Sequence, residues 1–359
     1  MQDHYVRVWD AVESHPREDE LAWKIAEYAL SRPPIDDDVA EMVRCRVVDN
    51  ASVALAAINR RPAASARAMA LAHPRANGAT LFGLAPEITV HAEWAAWANA
   101  TAVRELDFHD TFLAKDFGHP GDNIPPLIAV AQQTGKDGAT LARSVAIAYE
   151  VHVALMRGIS LHAHKKDHVA HLLPGAVAGL GALLELPVEV VYHAINQAVH
   201  LGFSTRQSRK GEITSWKAYV PGYSGKTAIE AIDRAMRWEG APNPIYEGAD
   251  SVIAWMLEGA QEEVLEGAAA AVALRQSGVL RSKQYHCRVP HRLPAVWAAS
   301  PHARAAASAR CTAPAAVREE QQRTRRPPRR RSLLPPLPSP WRHRRRRLCC
   351  CCCCCCCCC

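Results

Sequence analysis

The strongest constraint on what this chain can fold into is a change of composition near residue 286. Residues 286–348 contain sixteen arginines and ten prolines but no lysine, and residues 349–359 are all cysteine. This segment lacks the periodic apolar residues that build a core, so we predict that it is disordered as an independent segment. The part of the chain that can fold is therefore residues 1–285, which are enough for a sizeable core.

Two interpretations of this tail remain open. A shift of the coding frame near Tyr285 explains it, because GC-rich DNA read out of frame encodes Arg, Pro and Ala, and a triplet repeat encodes a homopolymer. Alternatively, the segment is a true basic tail that binds nucleic acid or a membrane surface, although such tails usually mix lysine with arginine. The cysteine run has no metal-ligand spacing.

The charge of the body differs from that of the whole chain, whose net charge is +7. Residues 286–348 carry +14, so the rest of the chain has 27 basic and 34 acidic side chains. An acidic body gives no reason to expect nucleic acid as its partner.

Cysteine usage and hydropathy limit the class of protein further. Cys45 is the single cysteine before residue 286, which excludes an intramolecular disulfide framework and a cysteine-ligated iron–sulfur cluster in the body. The polar N-terminus does not resemble a secretory signal, and the most apolar run, 172–186, is too short to span a membrane. We expect a cytoplasmic protein without membrane contact. A mitochondrial matrix location remains open, although no clear transit peptide is present.

Helical periodicity dominates the body, and alternating strand patterns are scarce, so a mainly α fold is expected. One clear example, residues 137–157, begins at Asp137 as N-cap and is closed by Gly158. A further helix starts at Asn123 and the two prolines after it. The other predicted helices are 20–31, 36–59, 87–106, 172–186, 187–201, 221–238 and 262–275.

Titratable side chains cluster in RELDFHDTFLAKDFGHPGDN, residues 104–123. If the preceding helix continues for one turn, Asp107, Asp110 and Thr111 share a face and His109 points away from it. His119 then lies on a loop constrained by glycine and proline, where a carboxylate can set its tautomer and basicity. A solvated helix end with a capping aspartate explains the same pattern.

A second stretch, HAHKKDHVAH, holds His162, His164, His168 and His171. The spacing could ligate a metal, but the two adjacent lysines oppose a cation and Asp167 is the one nearby acid. An acid–base or anion-binding role of His168 or His171 is the alternative.

A third stretch, residues 204–235, concentrates positive charge against one acid, Glu212. We interpret it as an anion pocket for a polycarboxylate or phosphate, with a solvated loop as the alternative. The turn Gly222–Gly225 is expected to open a helix, and the spacing does not fit a phosphate-binding P-loop. The cations are Arg206, Arg209, Lys210, Lys217 and Lys226.

Taken together, these stretches resemble a known family. LDFHDTFLAKDFGHPGDNIPP, HKKDHVAHLLPGAVAG, RQSRKGEITSWKA and AIEAIDRAMRWEGAPNPIYEG are similar to the 2-methylcitrate dehydratases of the MmgE/PrpD family, over roughly residues 15–285. The resemblance implies a large all-helical domain into which a smaller α+β domain is inserted, and a homodimer. It implies dehydration of 2-methylcitrate, a tricarboxylate, to 2-methyl-cis-aconitate in propionate catabolism. It implies no cofactor, no metal and no iron–sulfur cluster.

The resemblance also implies site residues. Asp107, Thr111, His119 and Lys217 match a related decarboxylase of the family, whose next histidine falls near His168, with His171 as the alternative. We predict Asp107 and His119 as the proton-transfer pair, with His168 and Lys217 holding substrate carboxylates. His109 and Asp110 are placed outside the site. Thr111, His171, Arg206, Arg209 and Lys210 are predicted to bind substrate.

The family pattern stops after Tyr285, so we predict a helical domain over 1–275, the start of a truncated small domain over 276–285, and the tail over 286–359. Because family sites also draw residues from the missing part, the chain can be a dehydratase by descent and yet inactive. Two alternatives stay open: a family decarboxylase or isomerase acting on a related polycarboxylate, and a non-catalytic helical dimerisation scaffold with a basic tail.

Overall fold

In the computed structural model, the described residues are 4–9, 14–257 and 263–265. Helices account for most of this part of the chain, which confirms the predicted mainly α fold. The predicted boundaries at 275, 285 and 286, and the tail itself, lie outside the described residues. The α-helices are α1 Leu21–Leu30, α2 Asp37–Ala56, α3 Arg61–Leu71, α4 Ala92–Glu105, α5 Ile124–Thr134, α6 Gly138–Gly158, α7 Leu172–Leu184, α8 Val188–Gly202 and α9 Trp216–Met236.

Short strands join the helices as three antiparallel pairs in the described part of the chain. These are β1 His4–Val6 with β6 Glu263–Leu265, β2 Pro74–Thr80 with β3 Thr89–Val90, and β4 Phe112–Leu113 with β5 Phe117–Gly118. Short 3-10 helices cover Arg17–Asp19, Pro120–Asn123, His168–His171 and Arg206–Arg209, and a π-helical turn covers Val252–Met256.

Helix α7 lies at the centre of the bundle and packs against α1, α5, α6, α8 and α9. Its sequence LLPGAVAGLGALL is apolar on every face, as expected for a helix surrounded by others. Gly175 and Gly179 face α6 so closely that a Cβ on either would lie within 3.0 Å of an α6 atom. These small residues let the two helices approach each other.

Apart from the segment 262–275, the helix predictions are confirmed in their core and differ at their ends. The segment 87–106 begins with β3, and its helix starts at Ala92. Helix α3 was not predicted, because its alanine-rich sequence RPAASARAMAL has high helix propensity but little apolar periodicity. Of the segment predicted as a helix over 262–275, residues 263–265 form a strand and the others lie outside the described residues.

Helix α9 begins at Trp216, before the predicted Gly222–Gly225 turn, and it contains Pro221. A proline inside a helix has no N–H to donate, so it leaves the carbonyl four residues earlier without its helical partner. That carbonyl belongs to Lys217, and Arg209 Nη1 donates to it at 3.3 Å. A side chain from outside the helix thus replaces the lost hydrogen bond.

Helix α6 is long and apolar enough to cross a membrane by length and composition, unlike the 172–186 run singled out from the sequence. Two-thirds of that apolar stretch is buried inside the helical bundle. A core helix of a soluble protein passes the same test, so this feature is weak evidence for a membrane span.

Gly222 offers a test of how α4 and α9 pack. A Cβ at this position would lie 2.8 Å from the Trp97 carbonyl oxygen, a backbone atom that cannot move aside. We expect Gly222→Ala to lower the free energy of unfolding by about 1–3 kcal/mol, because overpacking outweighs the better helix propensity of alanine. Urea unfolding followed by circular dichroism measures the change.

The matched control is Gly138→Ala at the exposed start of α6, where an added Cβ meets nothing within 4 Å. We expect this variant to be as stable as the parent or slightly more stable. Equal losses in both variants would contradict the packing argument.

Candidate active site

The titratable stretch begins where α4 ends, at Glu105. Asp107 adopts a left-handed backbone conformation with φ of 56°, which turns the chain away from the helix axis. Its N–H donates to the Arg104 carbonyl at 3.1 Å. Aspartate tolerates this conformation better than most residues, and α4 ends two residues before it, with Leu106 as the C-cap. The predicted helical face shared by Asp107, Asp110 and Thr111 is therefore wrong.

The β4–β5 hairpin replaces that helical turn and brings the two ends of the stretch together. Phe112 pairs with Gly118, so Thr111 and His119, which flank this pair, become neighbours. Thr111 Oγ1 lies 3.3 Å from His119 Nδ1. Strand pairing, rather than the predicted helical face, thus brings Thr111 close to His119.

His119 has a defined tautomer because of its backbone contact. Its Nδ1 lies 2.8 Å from the Asp110 carbonyl oxygen, which accepts a hydrogen bond, so Nδ1 carries the proton and Nε2 the lone pair. Burial, followed by the positive charge of Arg104 and the nearby His109, lowers the pKa of His119 to about 4. The imidazole is therefore neutral at neutral pH and can accept a proton at Nε2.

Asp122 is the buried carboxylate at the centre of this region. Its Oδ1 lies 2.8 Å from His109 Nε2, and its Oδ2 accepts a hydrogen bond from Arg104 Nη1 at 3.4 Å. Burial by itself would raise the pKa of Asp122, but His109 and Arg104 together hold it well below its ordinary value. His109 is completely buried and stacks on His119 at 4.8 Å between ring centroids.

Asp110 holds the 3-10 helix Pro120–Asn123 in place. Its Oδ1 accepts from the Gly121 N–H at 2.8 Å, and its Oδ2 accepts from the Tyr149 hydroxyl at 2.8 Å. His109 and Asp110, which the sequence analysis placed outside the site, both contact His119. The Asp110 carbonyl does so by a hydrogen bond and the His109 ring by stacking. Asp122 and Arg104 were not identified from the sequence, although both lie in the stretch that drew attention.

Lys217 and Asp107 form an ion pair between the first and third stretches. Lys217 Nζ donates to Asp107 Oδ2 at 2.5 Å, and Arg104 Nε lies 3.0 Å from Asp107 Oδ1. Burial would raise the pKa of Asp107, but these cations, Arg104 above all, lower it overall. Asp107 is therefore ionised at neutral pH. The two residues that the resemblance assigned to catalysis are in direct contact.

His168 is the first residue of the 3-10 helix His168–His171, and its neighbour Asp167 is the N-cap of that helix. Asp167 is fully buried and accepts hydrogen bonds from Arg209 Nε at 3.0 Å, Arg209 Nη2 at 3.2 Å and Ser208 Oγ at 2.9 Å. His168 packs against His119 with 5.8 Å between ring centroids. Burial, then the charge of Arg104, holds the pKa of His168 well below its ordinary value. Its Nε2 is buried and has no hydrogen-bond partner among the described residues.

His152 on α6 is a further buried imidazole that the sequence showed merely as part of an apolar helical stripe. Its Nδ1 accepts from Asn123 Nδ2 at 3.1 Å, and burial lowers its pKa to about 3. Gly118 is pressed against it, since a Cβ there would lie 3.3 Å from His152 Nε2. A polar residue at a core position of an apolar stripe was the signal available in the sequence.

The other predicted binding residues have different surroundings. His171 Nε2 donates to the Ile159 carbonyl at 2.9 Å, Arg206 contacts the His162 ring and lies over Phe117, and Lys210 is exposed. The four histidines of 162–171 do not converge. Among the described residues, no group of three or more His, Cys, Asp or Glu side chains is arranged to hold a metal ion. The substrate contacts predicted for His171, Arg206 and Lys210 stay predictions.

A cleft of about 710 Å³ opens beside the Lys217–Asp107 pair. Asp107 and Lys217 line it, together with the buried Arg104, whereas His119 and His168 are not among the lining residues. Its lining includes four cationic side chains and two carboxylates. The lining residues are Asn59, Arg60, Arg61, Pro62, Arg104, Glu105, Leu106, Asp107, Ile213, Thr214, Ser215, Lys217 and Ala218.

Residues 19–265 match the MmgE/PrpD N-terminal domain. The chain belongs to the MmgE/PrpD family. The matched range includes helices α1–α9 and every residue described above as part of the site. The resemblance noted from the sequence is therefore confirmed at the level of the family.

Relatives within the MmgE/PrpD family carry the name 2-methylcitrate dehydratase. The mitochondrial enzyme of Yarrowia lipolytica is 29% identical over 152 residues, which cover 39% of this chain and 29% of the relative. The probable enzyme of Saccharomyces cerevisiae is 31% identical over 141 residues (34% and 27%), and that of Escherichia coli K12 is 29% identical over 138 residues (34% and 29%). The matched part of this chain thus spans less than a third of each relative.

The buried imidazoles of this MmgE/PrpD domain predict a loss of stability in mild acid. In the unfolded chain histidines protonate near pH 6.5, whereas His119 and His152 do so at about 4 and about 3 in the folded state. As the pH falls from about 6.5 to 4, the unfolded state binds protons that the folded state does not. Each imidazole then lowers the free energy of unfolding by about 1.4 kcal/mol per pH unit.

We expect His152→Gln to reduce this pH slope, measured by urea unfolding between pH 6 and 4, by about one imidazole's share. Exposed His200→Gln is the control and should keep the parent slope. Glu150 and Glu247 also change the pH slope of stability, but both are present in each variant, so the difference between the two slopes reports His152. The pKa values of these two glutamates, raised to about 8 by burial, change stability in the opposite direction. An unchanged slope in His152→Gln would contradict the argument.

Proposed function

We propose that this chain is a hydro-lyase that dehydrates 2-methylcitrate to 2-methyl-cis-aconitate. The observation that carries the proposal is the combination of a neutral, tautomer-fixed His119 with a cleft lined by the Lys217–Asp107 pair. The names of the family relatives suggest the substrate. Because the matched segment spans less than a third of those relatives, the activity of this chain is a proposal.

Dehydration removes a proton from the carbon next to a carboxylate and a hydroxyl from the neighbouring carbon, forming a C=C bond and water. The proton is weakly acidic, so a base must accept it while cations neutralise charge that develops on the carboxylate. His119 Nε2 has the free lone pair that this base requires. The surplus of cations in the cleft suits a substrate with several carboxylates.

The hydroxyl leaves as water only if it receives a proton. Asp107 was predicted to share the proton transfers with His119, but a carboxylate kept ionised by Arg104 and Lys217 has no proton to give. We assign the donation to the Lys217 ammonium group, which Asp107 holds in position at 2.5 Å. Proton exchange with solvent then restores His119 and Lys217.

Arg209 contributes by positioning. Both oxygens of Asp167 and the Lys217 carbonyl occupy its guanidinium, and its side chain is 7% exposed. It therefore fixes the start of α9, from which Lys217 extends, relative to His168. A homodimer, a cytoplasmic location and the absence of a cofactor remain parts of the proposal.

Activity is tested by incubating the purified full chain with 2-methylcitrate and following the ultraviolet absorbance of the conjugated product. A second protein, with the tail from residue 286 replaced by the in-frame C-terminal part of a family relative, shows whether missing residues limit the rate. We expect product from this second protein at least. Release of carbon dioxide instead would favour the decarboxylase alternative, and inactivity of both proteins would favour the scaffold.

The proton-transfer assignment predicts different kinetics for two variants of the active form. His119→Ala should lower kcat by about 10²–10⁴-fold with a smaller change in KM, because general-base catalysis contributes about that much. Lys217→Ala should lower kcat and also raise KM, since Lys217 contacts the substrate as well as donating a proton. His200→Ala, at an exposed position on α8, is the control. A change confined to KM in His119→Ala would show that His119 is not the base.

A further inference from the structure

The lining of the cleft beside the Lys217–Asp107 pair also includes two arginines that lie outside the sequence stretches described above. Arg60 and Arg61 stand at the start of α3, and both line the cleft. Each is exposed to solvent. Helix α3 therefore brings positive charge to the same opening that Lys217 and Arg104 reach from the other elements.

The cations of the cleft differ in how far their charge is already neutralised. Arg60 Nε pairs with Glu105 at 3.2 Å, and Lys217 pairs with Asp107. Arg104 is paired with Asp107 and Asp122. Arg61, by contrast, has no ion pair or side-chain hydrogen bond with any described residue. Within the described lining, the unneutralised guanidinium thus belongs to Arg61.

The backbone at this end of α3 adds to the attraction for anions. The N-cap residue Arg60 makes no side-chain capping hydrogen bond, so the Arg61 N–H at the first helical position keeps its donor capacity, whereas Pro62 at the second position has no N–H. Arg104, which also lines the cleft, is 3% exposed, and its Nε lies 3.0 Å from Asp107 Oδ1. The charge of Arg104 is therefore already neutralised by Asp107 and Asp122, which leaves the Arg61 guanidinium to pair with a ligand carboxylate.

We infer that Arg61 binds a substrate carboxylate distant from the reacting carbon, and that it selects ligands with several carboxylates. This inference rests on the proposed function for the identity of the substrate and extends it by naming the residue that reads the second carboxylate. A planar guanidinium suits the task because it can donate two parallel hydrogen bonds to one carboxylate.

Binding of tricarballylate to the full chain tests the inference. This tricarboxylate has no hydroxyl, so it cannot be dehydrated, and isothermal titration calorimetry measures its affinity whether or not the chain is active. Arg61→Gln should weaken binding about tenfold, the loss expected for one charge-assisted hydrogen-bonded pair. Arg61→Lys should retain part of the affinity, because the charge stays and the bidentate geometry is lost.

The matched control is Arg44→Gln, which removes an equally exposed arginine that pairs with Glu41 on α2, outside the cleft lining. It should bind tricarballylate as the parent does. Equal affinity of Arg61→Gln and Arg44→Gln, or no binding of tricarballylate to the parent, would overturn the inference. So would the same Arg61 dependence for inorganic phosphate at similar affinity, because the site would then bind anions in general.

The results separate this inference from the proposed function. If the protein is inactive on 2-methylcitrate but loses tricarballylate affinity in Arg61→Gln, the carboxylate site stands and the dehydratase proposal fails. If the protein is active on 2-methylcitrate and Arg61→Gln leaves KM unchanged, the dehydratase proposal stands and the carboxylate site at Arg61 fails. An active parent with a KM raised about tenfold in Arg61→Gln and little change in kcat supports both.

Discussion

The buried carboxylate of Asp122 is the interaction on which the arrangement of the site depends. It joins Arg104 at the end of α4 to His109 in the following loop, and it belongs to the 3-10 helix that leads into α5. Breaking such a pair is costly, about 3–5 kcal/mol, because removal of one partner leaves a buried charge without compensation. The chain between Arg104 and Asp122 is therefore held as a closed unit, and His119 lies inside it.

A second buried carboxylate, Asp167, does the same for the other two stretches. It fixes Arg209, and Arg209 supplies the hydrogen bond that Pro221 removes from α9 at the Lys217 carbonyl. The start of α9 is thus stabilised by a contact from a neighbouring loop, and Lys217 occurs at this point. The two aspartates together set the separation between the residues assigned to base and acid, although neither of them lines the cleft.

The sequence predicted eight of the nine described α-helices, because helical periodicity is a local property, and it also singled out the three polar stretches. It did not predict how the stretches meet. The β4–β5 hairpin has two residues in each strand, too few for an alternating pattern, so a helical turn seemed equally compatible with residues 107–111. Pro221 and its neighbouring glycines favour a turn by local sequence pattern. The hydrogen bond from Arg209 that compensates for the proline comes from outside α9, so the local pattern does not show it. Asp122 and His152 were missed because their partners are 13 or more residues away.

Counting cations in a sequence gives the charge of a region but not which charges can bind a ligand. Residues 204–235 suggested an anion pocket, yet one of its arginines, Arg209, is committed to Asp167 and another, Arg206, to an imidazole and an aromatic ring. Arg61 lies in an unremarkable alanine-rich segment and has no described partner. Burial favours cations that are already paired, since an unpaired buried charge is too costly. The residues able to recognise a polyanion are therefore found at the solvent-facing rim, where the sequence shows the weakest pattern.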